Sequence, residues 1–261
     1  MNRTVTSTAV GTVHYSVAGT GPGLVLVHGT GGDSRTNFGH LVEHFADRHT
    51  VVTPDFAGSG ETSDPGGNLG LELLAAQVLA AADDAVDGPV DLLGFSLGAL
   101  IAATAAAARP EKIRRLILLN GWVDNADPRH TMVFELWRKL TADEPELAPA
   151  FASAIGFAPA FLTGLGDAGI KQIQAGEPPA GTARQIELGL RADVSAALPQ
   201  ITAPTLVIGS TADYLVPVAG AKALHAGIAG STYAELDSGH LVLFEKAAEL
   251  VKLVRDFTAR Q

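Results

Sequence analysis

The feature that most constrains this chain is a five-residue segment, Gly94-Phe95-Ser96-Leu97-Gly98, set between two stretches of different character. The mostly apolar run over 90–93 predicts a strand, and the alanine-rich residues 99–108 predict a helix. Gly-x-Ser-x-Gly between a strand and a helix is typical of a nucleophile elbow, a turn so sharp that the serine hydroxyl stands exposed. The glycines are expected where a Cβ would collide with neighbouring backbone. The pattern also fits an ordinary turn with a capping serine, so its meaning depends on the rest of the chain.

Length and composition exclude several classes of protein. The 261 residues suffice for one large domain or for a core with an insertion, and 47% hydrophobic residues can bury a sizeable core. The formal net charge of −10 disfavours nucleic acid and anionic membrane partners. Cysteine is absent, which excludes disulfides and thiolate zinc sites. The N-terminus lacks a signal-peptide pattern and no apolar run approaches a membrane span, so we expect a cytoplasmic protein. The sequence is compatible with a homo-oligomer without indicating one.

Strands and helices alternate along the chain, which predicts an α/β fold with a mainly parallel sheet and helices on both faces. An N-terminal hairpin is expected from Thr4–Val10 and Thr12–Val17. Helices are predicted over Leu69–Val86 and Leu241–Phe257, and a helical stretch over 38–45. The other predicted strands are Leu24–Val27, Thr50–Pro54, Ile113–Leu119, Thr205–Ile208 and Ser231–Leu236.

This alternation stops between Val123 and Leu198, where helical pieces carry large apolar side chains. A stretch of this length without strands is long for a loop that has no function. The sequence therefore predicts a core of residues 1–122 and 199–261 and an inserted helical cap of residues 123–198.

A serine nucleophile needs a base, and eight histidines are available. His240 is the strongest candidate because Asp237–His240 leaves the last strand, at the sheet edge where Ser96 is expected. His28 also ends a strand, but Gly29 follows it directly and the loop is expected to supply backbone N–H donors. His28 is therefore predicted to shape that loop. His130 is predicted at the surface, as are the remaining five: His14, His40, His44, His49 and His225.

The acid that orients His240 is predicted to be Asp213, which follows the buried strand Thr205–Ile208 through the loop Gly209–Asp213. Asp124, just past the strand that ends at Leu119, is the alternative, and Asp127 is weaker. The N–H of Leu97 is expected to bind the oxyanion as part of the elbow. The second donor is predicted to be the N–H of Thr30, with Gly29 or Gly31 as alternatives within one residue.

Five segments together resemble the α/β-hydrolase superfamily: Leu24–Gly32, Asp55-x-x-Gly58-x-Gly60, Gly94–Gly98, Gly209–Asp213 and Gly239-His240. Ser96, Asp213 and His240 also follow that family's order of nucleophile, acid and base. The resemblance spans nearly the whole chain, with the inserted segment matched least. It implies an eight-stranded sheet with an antiparallel second strand, a cap inserted after the sixth strand, and a site that uses no cofactor or metal.

The predicted function is a serine hydrolase acting through an acyl-enzyme on an ester, thioester or lactone of a small, fairly apolar molecule. Phe95 is expected beside the nucleophile, and Trp122, Phe134 and Trp137 are candidates for an apolar wall, with core packing as the alternative for each. The same triad also serves carbon–carbon bond hydrolysis, acyl transfer and cofactor-free lyase chemistry.

Two weaker alternatives do not use this chemistry. One is a protein of the same fold that only binds its ligand. The other is NAD(P) binding at Gly29-x-Gly31-x-x-Ser34, with Asp55 near the distance expected of a ribose-binding carboxylate.

Overall fold

The computed structural model describes residues 1–7 and 9–259, which fold around one eight-stranded sheet. The strands are β1 Asn2–Ser7, β2 Gly11–Ala18, β3 Gly23–Val27, β4 Thr50–Pro54, β5 Val90–Phe95, β6 Ile113–Leu119, β7 Thr205–Ser210 and β8 Thr232–Leu236. They lie in the order β1-β2-β4-β3-β5-β6-β7-β8. β2 is antiparallel to both of its neighbours, and every other neighbouring pair is parallel. The expected sheet with an antiparallel second strand is confirmed.

Helices cover both faces of this sheet, as predicted. Those before the insertion are α1 Ser34–Phe38, α2 Glu43–Ala46, α3 Leu71–Ala85 and α4 Leu97–Ala108. The later ones are α5 Pro128–Asp143, α6 Ala148–Gly156, α7 Pro159–Gln174, α8 Thr182–Gly189, α9 Val218–Gly227, α10 Val242–Glu245 and α11 Ala247–Thr258. Side chains of α3, α4 and α9 join the core on one face, and those of α1, α2, α10 and α11 join the core on the other.

The two cores follow from the two-residue period of a strand. In β3, Leu24 and Leu26 point into the core beneath α1 and α11, whereas Val25 and Val27 point into the core beneath α3 and α4. All five residues of this strand are buried. A continuous apolar run is required here because helices cover the sheet on both sides.

The first strand of the N-terminal hairpin ends earlier than the sequence predicts. β1 ends at Ser7 instead of Val10, because Ser7 pairs directly with Gly11 and Ala9 and Val10 lie in the turn. Gly11 begins β2 with φ of +71°, a conformation that glycine adopts without strain. Thr8 lies outside the described residues.

Two helical stretches predicted as continuous are broken in the structure. Residues 38–45 divide between α1 and α2, and the predicted helix Leu241–Phe257 divides into α10 and α11 at Lys246. Glu245, just before the second break, accepts hydrogen bonds from the backbone N–H groups of Ala158 and Gly239. The break thus occurs where the C-terminal segment satisfies two loop N–H groups of other regions.

Between β6 and β7 the chain forms the four helices α5 to α8, which we call the inserted helices. α5 packs mainly against α8, and α6 packs against α7. Across residues 1–7 and 9–259, none of the helices combines the length and apolar character needed to cross a lipid bilayer.

Candidate active site

Ser96 lies at the turn between β5 and α4, with φ of 56° and ψ of −122°. In a non-glycine residue such a backbone conformation is strained. The flanking glycines make the turn feasible: a Cβ on Gly94 would lie 2.0 Å from the carbonyl oxygen of Gly98, and one on Gly98 would lie 2.3 Å from that of Val27. The turn places the serine at the carboxyl end of the central strands.

The structure brings Ser96, His240 and Asp213 together although they are far apart in the sequence. His240 Nε2 lies 2.9 Å from Ser96 Oγ, and His240 Nδ1 lies 2.6 Å from Asp213 Oδ2. All three residues are buried. A carboxylate only accepts, so Nδ1 carries the proton and donates to Asp213, which leaves Nε2 free to accept from the serine hydroxyl. This arrangement can pass a proton from serine to imidazole.

The carboxylate of Asp213 is itself held in place. Its Oδ1 accepts the backbone N–H groups of Leu215 and Val216 at 2.9 and 2.7 Å. The alternative acid, Asp124, is exposed and accepts the N–H of Ala126 within its own turn. Asp127 accepts the N–H of Arg129 at the start of α5. Of the three candidates, Asp213 is the carboxylate in contact with His240.

Asn120, which is not predicted from the sequence, holds the backbone of His240 in place. It follows β6 with φ of 50°, one of two non-glycine residues in the described chain with positive φ, the other being Ser96. Its Nδ2 donates to Ser210 Oγ and to the carbonyl of His240, each at 2.9 Å. The amide thus connects the ends of β6 and β7 to the His240 loop. A polar residue directly after a buried strand is the sequence signal that marks it.

Two sets of backbone donors face the region of Ser96. Leu97 is the first residue of α4, where N–H groups have no partner within the helix and the helix dipole favours negative charge. In the loop after β3, the N–H of Gly29 donates to Asn37 Oδ1 and that of Gly31 donates to Gln185 Oε1, both at 3.0 Å. Among the described residues the N–H of Thr30, between them, has no protein partner. Of the three N–H groups considered, only that of Thr30 is therefore available to a ligand.

His28 is part of the same loop but does not reach Ser96. Its ring is fully buried, stacks on Phe56 at 3.8 Å, and Nδ1 donates to the carbonyl of Gly29 at 2.9 Å. Burial lowers its pKa below the ordinary value, so the ring is neutral near pH 7. Its contacts shape the loop, in keeping with the role expected from the sequence.

The residues that suggested dinucleotide binding are occupied within the protein. The N-terminus of α1 is capped by Asp33, whose Oδ1 accepts the N–H of Thr36. Asp55 Oδ1 accepts the N–H of Ser34 at 2.7 Å. A ribose would have to compete with that bond for the carboxylate, and a pyrophosphate with Asp33 for the helix N-terminus.

A cavity of about 960 Å³ opens beside Ser96 and His240. One wall is apolar and comes largely from the inserted helices and α10; it includes Trp137, Phe157, Phe161, Leu165, Ile173, Leu241 and Phe244. The polar part of the lining comes from α1 and from the loops after β3 and β4; it includes Thr30, Asp33, Asn37, Ser59, Thr62 and Asp64. The site is therefore an amphipathic cleft with a nucleophile at its base.

Of the four aromatic residues predicted at the substrate, Phe95 and Trp137 line this cavity, whereas Trp122 and Phe134 do not. These two belong to the core and pack around His130, whose ring stacks on Phe134 at 4.1 Å and lies 5.0 Å from Trp122. The face of α5 that carries Phe134 packs against Gly189 of α8, so the alternative of core packing describes both residues.

The surface positions predicted for His130 and His49 are wrong, since both side chains are buried. His130 Nε2 lies 3.3 Å from the carbonyl of Gly189 at the end of α8. Burial lowers the pKa of both imidazoles. Neither contacts Ser96, and His130 serves to join α5 to α8. Over residues 1–7 and 9–259, no three His, Asp or Glu side chains are grouped so that they could hold a metal ion.

Known proteins resemble this chain over nearly its full length. A model described as the alpha/beta hydrolase family matches residues 24–253. The pyrrolizixenacetamide deacetylase of Xenorhabdus hominickii is 44% identical over 249 residues, which cover 94% of each chain. The pimeloyl-[acyl-carrier protein] methyl ester esterase of Xanthomonas oryzae is 29% identical, covering 95% of this chain and 99% of its own.

A solved structure of a hydrolase also has the same fold as this chain. The enol-lactonase of Burkholderia xenovorans superposes with a TM-score of 0.85 at 26% identity, covering 95% of this chain and 97% of its own. The family model covers the segments that carry Ser96, Asp213 and His240, together with the helices between β6 and β7. The chain belongs to the alpha/beta hydrolase family and is a hydrolytic enzyme of that family.

Proposed function

We propose that this enzyme is a serine hydrolase that cleaves an ester, thioester or lactone of a small, fairly apolar molecule through an acyl-enzyme. The observation that carries the proposal is the continuous chain of contacts from Asp213 through His240 to Ser96 Oγ at the base of the cavity. A serine hydroxyl is a weak nucleophile at neutral pH unless a base within hydrogen-bond distance takes its proton.

In the first half of the reaction, Ser96 Oγ attacks the carbonyl carbon and its proton passes to His240 Nε2. The N–H groups of Leu97 and Thr30 bind the oxyanion of the tetrahedral intermediate. The bond to the leaving group then breaks, and His240 returns the proton to the departing oxygen or sulfur.

In the second half, water attacks the acyl carbon and gives its proton to His240. The bond to Ser96 Oγ breaks, the proton returns to that oxygen, and a carboxylic acid leaves. Asp213 accepts the Nδ1–H hydrogen bond throughout and stabilises the imidazolium that forms twice in each cycle.

The lining of the cavity supports an uncharged substrate of moderate size. A volume of about 960 Å³ lies near the upper end of the range for small-molecule sites, roughly 300–1,000 Å³. Its acidic lining residues are Asp33, Asp64 and Glu177, of which Asp64 is paired with Arg184, and none of the lining residues is Lys or Arg. The carboxylates of Asp33 and Glu177 favour a neutral acyl compound over an anionic one.

The inserted helices are proposed to act as a cap over the site. We assign residues 1–122 and 199–261 to the core and residues 123–198 to the cap. The contribution of α6 and α7 to the apolar wall supports it, because acyl chains of different length would meet these helices first.

Hydrolysis of an acetamide is a second candidate reaction at the same site. The relative with 44% identity is named a deacetylase of pyrrolizixenacetamide, and the match covers 94% of each chain. The chemistry needs no further residue, because His240 would protonate a departing amine as it protonates an alcohol. Turnover of p-nitroacetanilide beside p-nitrophenyl acetate distinguishes the two candidates.

The proposal is tested by p-nitrophenyl acetate and butyrate hydrolysis in the parent enzyme and in Ser96→Ala. We expect kcat to fall by about 10³-fold or more, because the members of a triad act as one unit. Ser153→Ala is the matched control: this serine lines the same cavity, but its hydroxyl donates to the carbonyl of Pro149. Turnover that survives in Ser96→Ala would refute the proposal.

A further inference from the structure

Gln185 on α8 connects the inserted helices to the loops beside Ser96. The side chain is fully buried; its Oε1 accepts from the N–H of Gly31 at 3.0 Å and its Nε2 donates to Ser59 Oγ at 2.9 Å. Ser59 Oγ in turn donates to the carbonyl of Gly32 at 2.8 Å. A backbone N–H can only donate, which fixes the orientation of the amide. Gln185 therefore holds Gly31 directly and Gly32 through Ser59.

Backbone contacts place Gln185 at this point. The N–H of Gly181, at the start of α8, donates to the carbonyl of Gly58 at 2.9 Å. The two glycines approach so closely that a Cβ on Gly181 would lie 2.2 Å from Gly58 Cα. Arg184 adds an ion pair with Asp64. The position of Gln185 is thus set by main-chain packing between α8 and the loop after β4.

The bond to Gly31 bears on the N–H of its neighbour, Thr30. The Gly29 N–H on one side is held by Asn37, and the Gly31 N–H on the other is held by Gln185. The peptide between them carries the Thr30 N–H. Gly31 has φ of +71° and no side chain to restrict it, so without Gln185 the loop is free to turn at this residue.

We propose that Gln185 is a positioning residue that holds the Thr30 N–H where the oxyanion forms. The inference rests on the proposed function, in which Thr30 and Leu97 are the oxyanion donors. A donor aimed at the developing charge acts in the transition state more than on the bound substrate, so its misplacement lowers kcat and leaves KM nearly unchanged.

The chain contains a matched control in Gln77 on α3. It is also a fully buried glutamine; its Oε1 accepts the N–H of Ala57 at 2.9 Å and its Nε2 donates to the carbonyls of Val10 and Ser63. Within the described residues it makes no hydrogen bond to the 29–32 loop. Methionine at either position fills a similar volume and removes the buried hydrogen bonds.

The experiment compares Gln185→Met with Gln77→Met, using p-nitrophenyl butyrate turnover, inhibition by butylboronic acid and the melting temperature. We expect both variants to melt earlier, since each leaves buried polar groups unpaired. In Gln185→Met, kcat should fall by about 100-fold, with KM within about threefold of the parent, because a misplacement of about 1 Å is that costly. The Ki of the boronic acid, whose Ser96 adduct is tetrahedral, should rise in parallel. Gln77→Met should keep kcat within about threefold of the parent enzyme.

Ser59→Ala provides a second variant should Gln185→Met fold poorly. It removes the partner of Gln185 Nε2, and we expect a fall in kcat of about tenfold that is not additive with Gln185→Met. If Gln185→Met and Ser59→Ala both match Gln77→Met in kcat and Ki while Ser96→Ala is inactive, the positioning role is overturned and the proposed function stands. Activity retained in Ser96→Ala overturns the proposed function itself, whatever the glutamine variants do.

Discussion

Helices α7 and α8 face the same cavity but dock in opposite ways. None of the sixteen residues of α7 is buried, and Gly166 interrupts it with φ of 63°. In α8 the buried residues are Thr182, Gln185, Ile186, Leu188 and Gly189, more than half of its eight positions. α8 is therefore continuous with the core beside Ser96, whereas α7 offers the substrate an apolar wall. Under the two proposals above, the same insertion supports the reacting groups through α8 and contacts the substrate through α7.

The largest effect is expected on the chemical side, at Asp213. Asp213→Asn should lower kcat by about 10⁴-fold, because an amide disfavours the tautomer in which Nε2 accepts the serine proton. The loss should be equal for acetate, butyrate and hexanoate esters, since the acid does not touch the acyl chain. Asp124→Asn, measured in the same way, should keep parental turnover. A fall in kcat that varied with the length of the acyl chain would mean that Asp213 also affects how the acyl chain is recognised.

An intermediate effect is expected on the recognition side, at Phe161 of α7, which lines the cavity and stacks on Phe157 at 5.2 Å. Phe161→Ala should lower kcat/KM for p-nitrophenyl hexanoate about tenfold relative to acetate, as expected when an apolar subsite loses contacts. Leu162→Ala is the control, because this neighbour is absent from the cavity lining. Equal losses for both esters would mean that α7 does not select the acyl chain.

The smallest effect is expected in stability, at His130, which joins α5 to α8. Its pKa is lowered by burial, so below about pH 6.5 the unfolded chain takes up a proton that the folded chain does not. Stability should therefore fall as the pH drops through this range, by at most about 1.4 kcal/mol per pH unit for one group. Urea unfolding of His130→Phe from pH 7.5 to 5.5 should show a shallower slope. The slope should not vanish, because burial also lowers the pKa of His28, so this residue contributes to the same loss of stability at low pH. An unchanged slope would mean that His130 does not contribute to the pH dependence of the free energy of unfolding.

The sequence best predicts the residues whose position is determined by the end of a strand. Ser96, Asp213 and His240 each follow a strand of the sheet, and parallel strands deliver their following loops to one edge. The glycines around Ser96 are required by contacts of 2.0 and 2.3 Å that any Cβ would make, so their pattern in the sequence is informative.

What the sequence does not predict depends on how helices face each other. Phe134 and Trp137 lie three residues apart on α5, yet only Trp137 lines the cavity, because the rotation of the helix against α8 decides which ring is covered. Gln185 gives no signal, since one glutamine in a helix fits solvent as well as a buried network. The division of the C-terminal helix at Lys246 depends equally on contacts with distant loops.

The backbone of Ser96 has a consequence for the stability of the protein. A conformation of this kind costs about 1–3 kcal/mol, a sizeable share of the roughly 5–15 kcal/mol by which a domain resists unfolding. Under the proposed function, this strain is the cost of exposing the serine hydroxyl to the substrate. The turn at Ser96 is thus a place where the proposed activity is expected to lower the free energy of unfolding.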